Sequence, residues 1–456
     1  MKKPLLFFST NHKTHELTFS RALLQGQAPD KGLYLPKAIP VIPLDEINGY
    51  RDKTYAEIAF SVTHRFLEGE INDLELLTIV NDAYNYNVPL EHVCDRKYIM
   101  RLDQGPTASF KDFAARMMGR LMQFYMDREK HRLLILTATS GDTGSAVANA
   151  FYRLNNIDMV VLFPRKEVTD RQRKQMTTLG KNIRVLALDA KFDDCQALVK
   201  KAFADPDLTS LNLSSANSIN IGRLIPQIVY YFYAFARLHS LEKEEQITFS
   251  VPSGNFGDMM GGMLAKRMGL PVKKFIIATN ENDEFPTFLR TGTYRKIEPS
   301  HNCISSAMNV GHPSNLARLI ALYGGSMDEK GFIHKQADLD QMRKDLWSVS
   351  INDAQTRTTI ATAYRNHGAI LEPHGAVGWS ALMEYLRQLP VNDASMDLYV
   401  SLETAHPAKF PEEINKILHI EPDLPPSLEG IDHLPEYVEE MENSYETFRE
   451  YLRNNF

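Results

Sequence analysis

The stretch Arg132-Leu133-Leu134-Ile135-Leu136-Thr137-Ala138-Thr139-Ser140-Gly141-Asp142-Thr143-Gly144 decides the fold class. Its first half is a continuous apolar run, which is typical of a buried parallel strand. Its second half is a short polar turn with two glycines, and residues 145–154 then favour a helix. A buried strand that turns directly into a helix is half of a βαβ unit, so the stretch indicates an α/β protein.

The same alternation continues toward the C-terminus. We predict strands at 159–163, 182–188, 247–252 and 274–279, and helices near 171–179, 193–203, 221–238 and 259–268. This order predicts mostly parallel sheets with helices on both faces. We expect an N-terminal domain at 1–95, followed by α/β domains at 96–240 and 241–456. The last domain would carry an irregular covering insertion at 280–350 and an acidic C-terminal tail.

The composition excludes several classes of function. A chain of 456 residues with 43% hydrophobic and 24% charged residues matches a soluble protein of two or three domains. Its net charge of −6 does not favour a nucleic-acid partner, and no uninterrupted apolar stretch is long enough for a membrane span. The three cysteines are widely spaced and lack a Cys-x-x-Cys pair, which excludes a disulfide framework or a thiolate zinc site. We therefore expect a cytoplasmic protein without a metal.

Lys111 is an unusual lysine within the segment Gly105–Phe113. A Gly-Pro turn precedes it, and the strongly apolar residues 113–122 that follow predict a buried helix. A cation in the first turn of a helix is disfavoured by about 0.3–1 kcal/mol. Such a lysine either reaches water or loses its proton, and a neutral lysine is the nucleophile that Schiff-base chemistry requires. The segment by itself also allows a helix-start lysine without chemistry.

Two strand–turn–helix junctions, Thr139–Gly144 and Ser253–Asp258, share one design. Their glycines let the backbone turn sharply and expose successive N–H groups, and the following helix adds its positive end. Neither junction contains a Walker A loop, a dinucleotide fingerprint or a nucleophile elbow. Together they suggest that two phosphates are held.

A third segment, Asn217–Arg223, places Arg223 in the first turn of a predicted apolar helix. The helix dipole disfavours this cation too, and a fixed anion nearby would remove the conflict. A guanidinium suits a phosphate because it can donate two parallel hydrogen bonds. An arginine that only bridges two loops remains the alternative.

Six segments, in their order and spacing, resemble threonine synthases of the branch found in many bacteria and in fungi. They are Gly105–Phe113, Thr137–Gly144, Leu213–Arg223, Val251–Asp258, Glu372–Val377 and Thr404–Phe410. The resemblance covers nearly the whole chain and implies a fold-type II pyridoxal 5'-phosphate enzyme with an architecture like that of tryptophan synthase β. It implies a carbon–oxygen lyase acting on phosphates, which converts O-phospho-L-homoserine and water to L-threonine and phosphate. That reaction, a γ-elimination followed by β-addition of water, is the last step of threonine biosynthesis.

The resemblance also implies where pyridoxal 5'-phosphate binds. Lys111 would bind the cofactor covalently and then transfer protons, and Thr404 would place its hydroxyl against the pyridine nitrogen. The cofactor phosphate would be held by Gly254, Asn255, Phe256, Gly257 and Asp258.

Two further groups of residues are implied to face the substrate. The loop facing substrate and cofactor comprises Thr139, Ser140, Asp142 and Thr143. The substrate's phosphate would be bound by Asn217, Ser218 and Arg223. Other branches of the family carry asparagine where this chain has Asp142, so a contact of Asp142 to the cofactor's 3′ oxygen stays open. Glu372 and His374 match a motif near the cofactor, where we expect structural support rather than direct involvement.

Two alternatives stay open at this point. A threonine-synthase-like phospholyase would use the same residues but release 2-oxobutyrate without completing the addition of water. A non-catalytic phosphometabolite-binding protein would not need Lys111, whose presence argues against that interpretation. We expect a monomer, because no long N-terminal extension that could house an effector site precedes the first motif.

Overall fold

The computed structural model of the chain describes residues 3–240, 245–390 and 397–456. The N-terminal part forms an antiparallel sheet of order β2-β1-β3, made of β1 (Leu6–Ser9), β2 (Leu17–Thr18) and β3 (Tyr34–Pro36). Its helices are α1 (Phe19–Gln25), α2 (Leu44–Asn48), α3 (Tyr55–Leu67) and α4 (Asp73–Ala83). Helices α3 and α4 begin at capping boxes, which satisfy N–H groups that a helix start would otherwise leave without partners.

The rest of the chain alternates strands and helices. The strands are β4 (Leu90–Cys94), β5 (Lys97–Arg101), β6 (Leu133–Ala138), β7 (Ile157–Pro164), β8 (Ile183–Leu188), β9 (Leu213–Ser214), β10 (Ile247–Pro252), β11 (Val272–Thr279), β12 (Ser326–Met327), β13 (Ile333–Lys335), β14 (Leu346–Ser350), β15 (Leu398–Glu403) and β16 (Glu439–Met441). The helices are α5 (Lys111–Glu129), α6 (Asp142–Phe151), α7 (Asp170–Thr177), α8 (Phe192–Ala204), α9 (Ile221–Leu224), α10 (Val229–Leu238), α11 (Gly257–Arg267), α12 (Glu284–Thr291), α13 (Leu316–Leu322), α14 (Leu339–Asp345), α15 (Asp353–His367), α16 (Pro373–Gln388), α17 (Pro411–Leu418) and α18 (Tyr445–Asn455). Short 3₁₀ helices occupy Pro206–Leu211, Ile225–Ile228, Ser306–Met308, Pro407–Lys409, Pro426–Leu428 and Ile431–His433.

Two mostly parallel sheets organise these elements, as the sequence predicts. The five-stranded sheet has the order β16-β8-β7-β6-β9, and all of its pairings are parallel. The six-stranded sheet has the order β14-β11-β10-β15-β5-β4, and only β4 and β5 pair antiparallel. Every residue of β6 and β10 is buried, because helices cover both faces of a parallel sheet. The candidate loops Thr139–Gly144 and Ser253–Asp258 follow the carboxyl ends of these two central strands.

The single helix predicted at 221–238 is interrupted in the structure. It consists of α9, the 3₁₀ helix Ile225–Ile228 and α10. Pro226 lies at the break. A proline in a helix interior lacks the N–H that would donate one turn back, and its ring crowds the preceding carbonyl, so regular α geometry is lost there.

The region 280–350, expected to be irregular, is more regular than predicted. It contains α12, α13 and α14, and it ends in β14, which pairs with β11 from Phe275↔Leu346 to Thr279↔Ser350. This strand lies at the edge of the sheet, where only Leu346 is fully buried, so it lacks the apolar run that marks a central strand. The acidic tail likewise contributes an edge strand, β16, beside β8.

An aromatic cluster in the core fixes the start of α5. The ring of Phe113 lies 5.3 Å from Tyr55, 5.0 Å from Tyr86 and 5.6 Å from Tyr230, measured between centroids. Such pairs contribute about 0.5–1.5 kcal/mol each beyond the burial of their area. The first turn of α5, and Lys111 within it, is therefore rigidly anchored. Among the described residues, no helix combines the length and the apolar composition that a membrane crossing needs.

Candidate active site

Lys111 is the first residue of α5. The preceding residues 105–110, which we call the lysine loop, are held in place by hydrogen bonds to Asp112. Asp112 accepts hydrogen bonds from the backbone N–H and the hydroxyl of Thr107 at 2.8 and 2.6 Å. Gly105 is required opposite this carboxylate, because a Cβ there would lie 2.4 Å from Asp112 Oδ2. Asp112 therefore fixes the conformation of the loop, and its carboxylate bonds to the loop rather than to Lys111.

The lysine loop is also bonded to the segment that follows β15. The Phe110 N–H donates to the Thr404 carbonyl at 2.8 Å, and the His406 N–H donates to the Ala108 carbonyl at 3.0 Å. A β-bridge joins the residues between these two bonds. Thr404, implied from sequence to meet the cofactor, is thus held against the backbone that carries Lys111.

The Lys111 amine is mostly buried, and both cations and carboxylates act on it. Its side chain is 13% exposed, and Nζ lies 3.8 Å from Asp142 Oδ2. Burial lowers the pKa of this amine; Lys409 and Arg223 lower it further, whereas Asp142 and Glu372 oppose them. A lowered pKa increases the fraction of neutral amine, which is the form that attacks a carbonyl.

The loop Thr139–Gly144 is organised by its own first side chain. Thr139 Oγ1 accepts hydrogen bonds from the N–H groups of Gly141 and Gly144 at 3.0 and 2.8 Å. Gly141 has φ of +133°, and a Cβ there would lie 2.5 Å from the Gln172 side chain. Thr139 therefore shapes the turn, while Ser140 and Thr143 are partly exposed beside it. Asp142 begins α6 and is buried.

The loop Ser253–Asp258 forms a backbone cradle at the start of α11. A Cβ on Gly254 would lie 2.8 Å from the Ala307 carbonyl oxygen, so only glycine fits there. Phe256 has φ of +63°, which turns the chain into the helix. Successive N–H groups at a helix start attract an anion. The cradle thus fits a phosphate without needing a side-chain cation.

The carboxylate and the backbone N–H of Asp258 have different roles. The hydroxyls of Tyr230 and Tyr231 donate to Asp258 Oδ1 at 2.5 and 2.7 Å. Burial raises the pKa of this carboxyl to about 6, although the two tyrosine hydroxyls act in the opposite direction. The side chain anchors the helix start to α10, so only the backbone N–H of Asp258 suits an anion.

Arg223 is a buried cation that forms no ion pair with a carboxylate in the described ranges. Its Nη1 donates to the Ala216 carbonyl at 2.8 Å, and its Nε has no hydrogen-bond partner among the described residues. Burial lowers the pKa of the guanidinium to about 10. Within the described parts of the chain no Asp or Glu forms an ion pair with it. A buried guanidinium with a free donor fits an incoming phosphate.

The phosphate cradle and the Asn217–Arg223 loop are adjacent. A Cβ built on Gly257 would lie 3.6 Å from Ser218 Cβ. Asn315 bridges the loops by donating to the carbonyls of Ser218 at 3.3 Å and Asn255 at 2.9 Å. The structure therefore brings the Ser253–Asp258 cradle next to the Asn217–Arg223 loop, the third segment whose sequence suggests an anion site.

Arg318 supports the same junction and was not singled out from sequence. Its guanidinium donates to the carbonyls of Tyr34, Ser218 and Ile219 at 2.9, 3.2 and 2.7 Å. Burial lowers its pKa to about 9. Its partners are backbone oxygens of distant segments, and Arg318 itself lies in a region expected to be irregular. No residue pattern could have identified it.

Glu372 and His374 stabilise the side of the site that carries Thr404. Glu372 caps α16 by accepting from the N–H groups of His374 and Gly375 at 2.8 and 2.9 Å. His374 Nδ1 lies 2.5 Å from Glu372 Oε2, and its Nε2 accepts from the Ala307 N–H at 3.0 Å. The Thr404 hydroxyl lies 3.4 Å from Glu372 Oε1. These contacts match the structural role expected for both residues.

The arrangement as a whole fits a molecule that carries both an aldehyde and a phosphate. A buried lysine with a lowered pKa suits the aldehyde, and a glycine cradle that a Cβ would fill suits the phosphate. Arg223 Nε, which has no hydrogen-bond partner among the described residues, suits a second anion, and its loop lies beside the cradle. No group of three His, Cys, Asp or Glu residues in the described ranges could hold a metal ion.

Three family models match the chain. The pyridoxal-phosphate dependent enzyme model matches residues 87–396, the threonine synthase N-terminus model matches 6–84, and the threonine synthase C-terminal model matches 375–452.

Individual proteins match over almost their whole length. The threonine synthase of Haemophilus influenzae is 39% identical over 446 residues, covering 98% of this chain and 99% of the relative. That of Escherichia coli is 38% identical over 448 residues, covering 98% and 99%. A crystal structure of PLP-bound threonine synthase from Brucella melitensis superposes with a TM-score of 0.91 at 34% identity, covering 99% of each chain.

Proposed function

The chain belongs to the threonine synthase family of pyridoxal phosphate-dependent enzymes, and from this premise we propose that it converts O-phospho-L-homoserine and water to L-threonine and phosphate. One observation carries the proposal. Arg223, a buried guanidinium whose Nε has no partner among the described residues, is one of the cations that lower the pKa of the buried Lys111 amine. This observation supports a proton-transferring amine that works beside a site suited to the phosphate of the substrate.

We assign the cofactor contacts as follows. Lys111 would hold pyridoxal 5'-phosphate covalently, and the Thr404 hydroxyl would serve the pyridine nitrogen. The phosphate is held by the loop residues Gly254, Asn255, Phe256, Gly257 and Asp258, the last through its backbone. The bound cofactor supplies an electron sink for charge that develops at the α carbon of the substrate. A hydroxyl at the pyridine nitrogen, unlike an aspartate, does not force the ring to stay protonated.

The chain's own residues perform the binding and the proton transfers. The substrate's phosphate is bound by Asn217, Ser218 and Arg223. The Thr139–Thr143 loop, through Ser140, Asp142 and Thr143, faces the reacting carbons, with Thr139 keeping the turn in shape. The Lys111 amine removes the proton from the α carbon and transfers protons at the β and γ carbons. Arg223 retains the departing phosphate close to the β carbon, where water adds.

The decisive experiment is the Lys111→Ala variant. We expect it to lose covalent cofactor, measured by borohydride reduction and peptide mapping, and to form no threonine. Lys200→Ala, which removes an exposed lysine on α8, is the matched control and should behave as wild type. Threonine formation by Lys111→Ala would refute the assignment.

A phospholyase activity is the second candidate, because Lys111 and Arg223 would serve both reactions. Product analysis separates the two: threonine from phosphohomoserine supports the synthase, and 2-oxobutyrate alone supports the phospholyase. A phosphometabolite-binding protein without catalysis would give neither product.

We also propose a monomeric, cytoplasmic protein with units at 1–95, 96–240 and 241–456. The three cysteines Cys94, Cys195 and Cys303 are free thiols, which suits a reducing compartment. Light scattering coupled to size-exclusion chromatography tests the oligomeric state, and limited proteolysis tests the division into units.

A further inference from the structure

Asp142 lies between two lysines that come from different parts of the chain. Lys409 is 0% exposed, and its Nζ lies 2.6 Å from Asp142 Oδ1. Lys111 Nζ lies 3.8 Å from the other oxygen, Oδ2. Gln172 Nε2 also donates to Oδ1 at 2.9 Å. The carboxylate is thus bound firmly on the side away from Lys111 and offers its second oxygen to that amine.

Lys409 is itself held by two loops, the Thr139–Gly144 loop and the loop that leads to Lys111. Besides Asp142, its Nζ donates to the carbonyl of Thr107 at 2.9 Å, in the loop that leads to Lys111. Gln175 donates to the same carbonyl at 3.1 Å. Lys409 ends the short 3₁₀ helix that begins at Pro407, close to the segment bonded to the lysine loop. A fully buried ammonium needs such compensation, since burial without partners would remove its proton.

We propose that Lys409 is a positioning residue that neutralises Asp142 and thereby keeps Lys111 available as an amine. Without Lys409, Lys111 would be the nearest cation to a buried carboxylate and would hold its proton more tightly. With Lys409 in place, Asp142 orients Lys111 through Oδ2 while most of its charge is balanced on the other side. This inference rests on the proposed function in one respect, namely that Lys111 carries the cofactor.

Other charged groups around Lys111 do not replace Lys409. The groups that face Lys111 are Asp142 on α6, Lys409 after β15, Arg223 on α9, Glu372 before α16 and Asp258 on α11. Arg223 is the other cation of this set, and it donates to the Ala216 carbonyl rather than to Asp142. Lys409 is therefore the cation that contacts the carboxylate next to Lys111.

The test measures attachment of the cofactor rather than turnover. The full-length protein is stripped of cofactor, and the rate at which added pyridoxal 5'-phosphate becomes borohydride-reducible is measured across pH. Attachment requires the neutral amine, so the midpoint of the profile reports the proton affinity of Lys111. Lys409→Met should raise this midpoint by about one unit or more, and Asp142→Asn should lower it by a similar amount.

Lys266→Met is the matched control. Lys266 pairs with Asp345 at 2.9 Å, so the variant also breaks a lysine–aspartate pair. The residue lies in the last turn of α11, about 14 Å along the helix from the cradle at its start. Its attachment midpoint should equal that of wild type.

Each outcome decides the inference. A Lys409→Met protein that folds and attaches cofactor with the wild-type midpoint overturns it. If Lys409→Met does not fold, Lys409→Gln is decisive, because its amide can still donate a hydrogen bond to Asp142 while the charge is removed; an unmoved midpoint then overturns the inference. Reduced cofactor mapped to a lysine other than Lys111 in the wild type would instead remove the proposed function.

Discussion

Arg318 donates its Nε–H to the carbonyl oxygen of Tyr34 at 2.9 Å, and both residues are fully buried. This contact joins strand β3 of the N-terminal sheet to helix α13, which lies almost three hundred residues later. The same guanidinium holds the carbonyls of Ser218 and Ile219 in the predicted substrate-phosphate loop. The Arg318 side chain therefore connects the N-terminal sheet to the loop of the candidate site.

Replacing Arg318 with methionine should destabilise the protein and weaken substrate binding. The carbonyls of Tyr34, Ser218 and Ile219 would lose a charged donor, and leaving a buried acceptor such as that of Tyr34 unpaired costs about 1–3 kcal/mol. Removing a buried charge offsets part of that cost, so we expect the free energy of unfolding to fall by about 3 kcal/mol. Urea denaturation measures it, and the KM for phosphohomoserine should rise while kcat changes less.

Arg343→Met is the control for that experiment. Arg343 also donates to two backbone carbonyls, those of Leu289 and Arg290, but at a partly exposed position away from the loops. It should lose less than about 1 kcal/mol and keep the wild-type KM. Equal effects of the two variants would contradict a special role for Arg318.

Gly254→Ala should weaken cofactor binding without unfolding the protein. The added methyl would meet the Ala307 carbonyl oxygen at 2.8 Å, which is backbone and cannot rotate away. The cradle must shift, and displaced N–H groups hold a phosphate less well; we expect roughly a tenfold or greater rise in the dissociation constant of pyridoxal phosphate. Gly49→Ala, at φ of −68°, is the control and should leave the dissociation constant unchanged. Fluorescence titration of the stripped protein measures both variants.

The sequence identifies those residues whose position conflicts with a local rule. Lys111 and Arg223 are cations at predicted helix starts, and that conflict is visible without a structure. Lys409, Asn315 and Arg318 obey no such local pattern. Their roles arise from contacts with segments that the fold brings from far along the chain, and several of those contacts are to backbone oxygens that any residue could supply.

Among the strands, the sequence predicts a central strand of a sheet better than strands at its edge. β10 was predicted with its observed bounds, because a strand buried on both faces leaves an uninterrupted apolar run. β14 and β16 were not predicted, since edge strands are only partly buried and mix polar with apolar residues. Pairing with β11 and β8, rather than composition, makes these two segments strands.

Glu284→Gln should change the pH dependence of stability. Burial raises the pKa of Glu284 to about 8, well above its ordinary value. The folded protein therefore holds this proton more tightly than the unfolded chain, and the wild type loses stability as pH rises from about 4.5 to about 8. Glutamine does not ionise. The free energy of unfolding of the variant should therefore rise relative to that of the wild type by up to about 1.4 kcal/mol per pH unit in that window.

Urea denaturation of both proteins at several pH values measures this difference. The gain should level off above about pH 8, where the wild-type carboxyl is ionised in both states. A constant difference between Glu284→Gln and wild type would contradict the prediction.

Arg223→Met should separate stability from phosphate binding. A buried guanidinium that forms no ion pair with any described carboxylate is held at a cost, since burial lowers its pKa to about 10. Methionine removes that cost but also loses the bond to the Ala216 carbonyl, and we expect the unliganded variant to be about 1 kcal/mol more stable than wild type. Inorganic phosphate, which should raise the melting temperature of the wild type, should have a smaller effect on the variant. Cofactor attachment to Lys111 should persist, because the cradle on α11 is untouched. The alternative role of Arg223, bridging loops instead of holding an anion, predicts a different result. The variant would then be less stable than wild type, and phosphate would raise its melting temperature as much as that of the wild type.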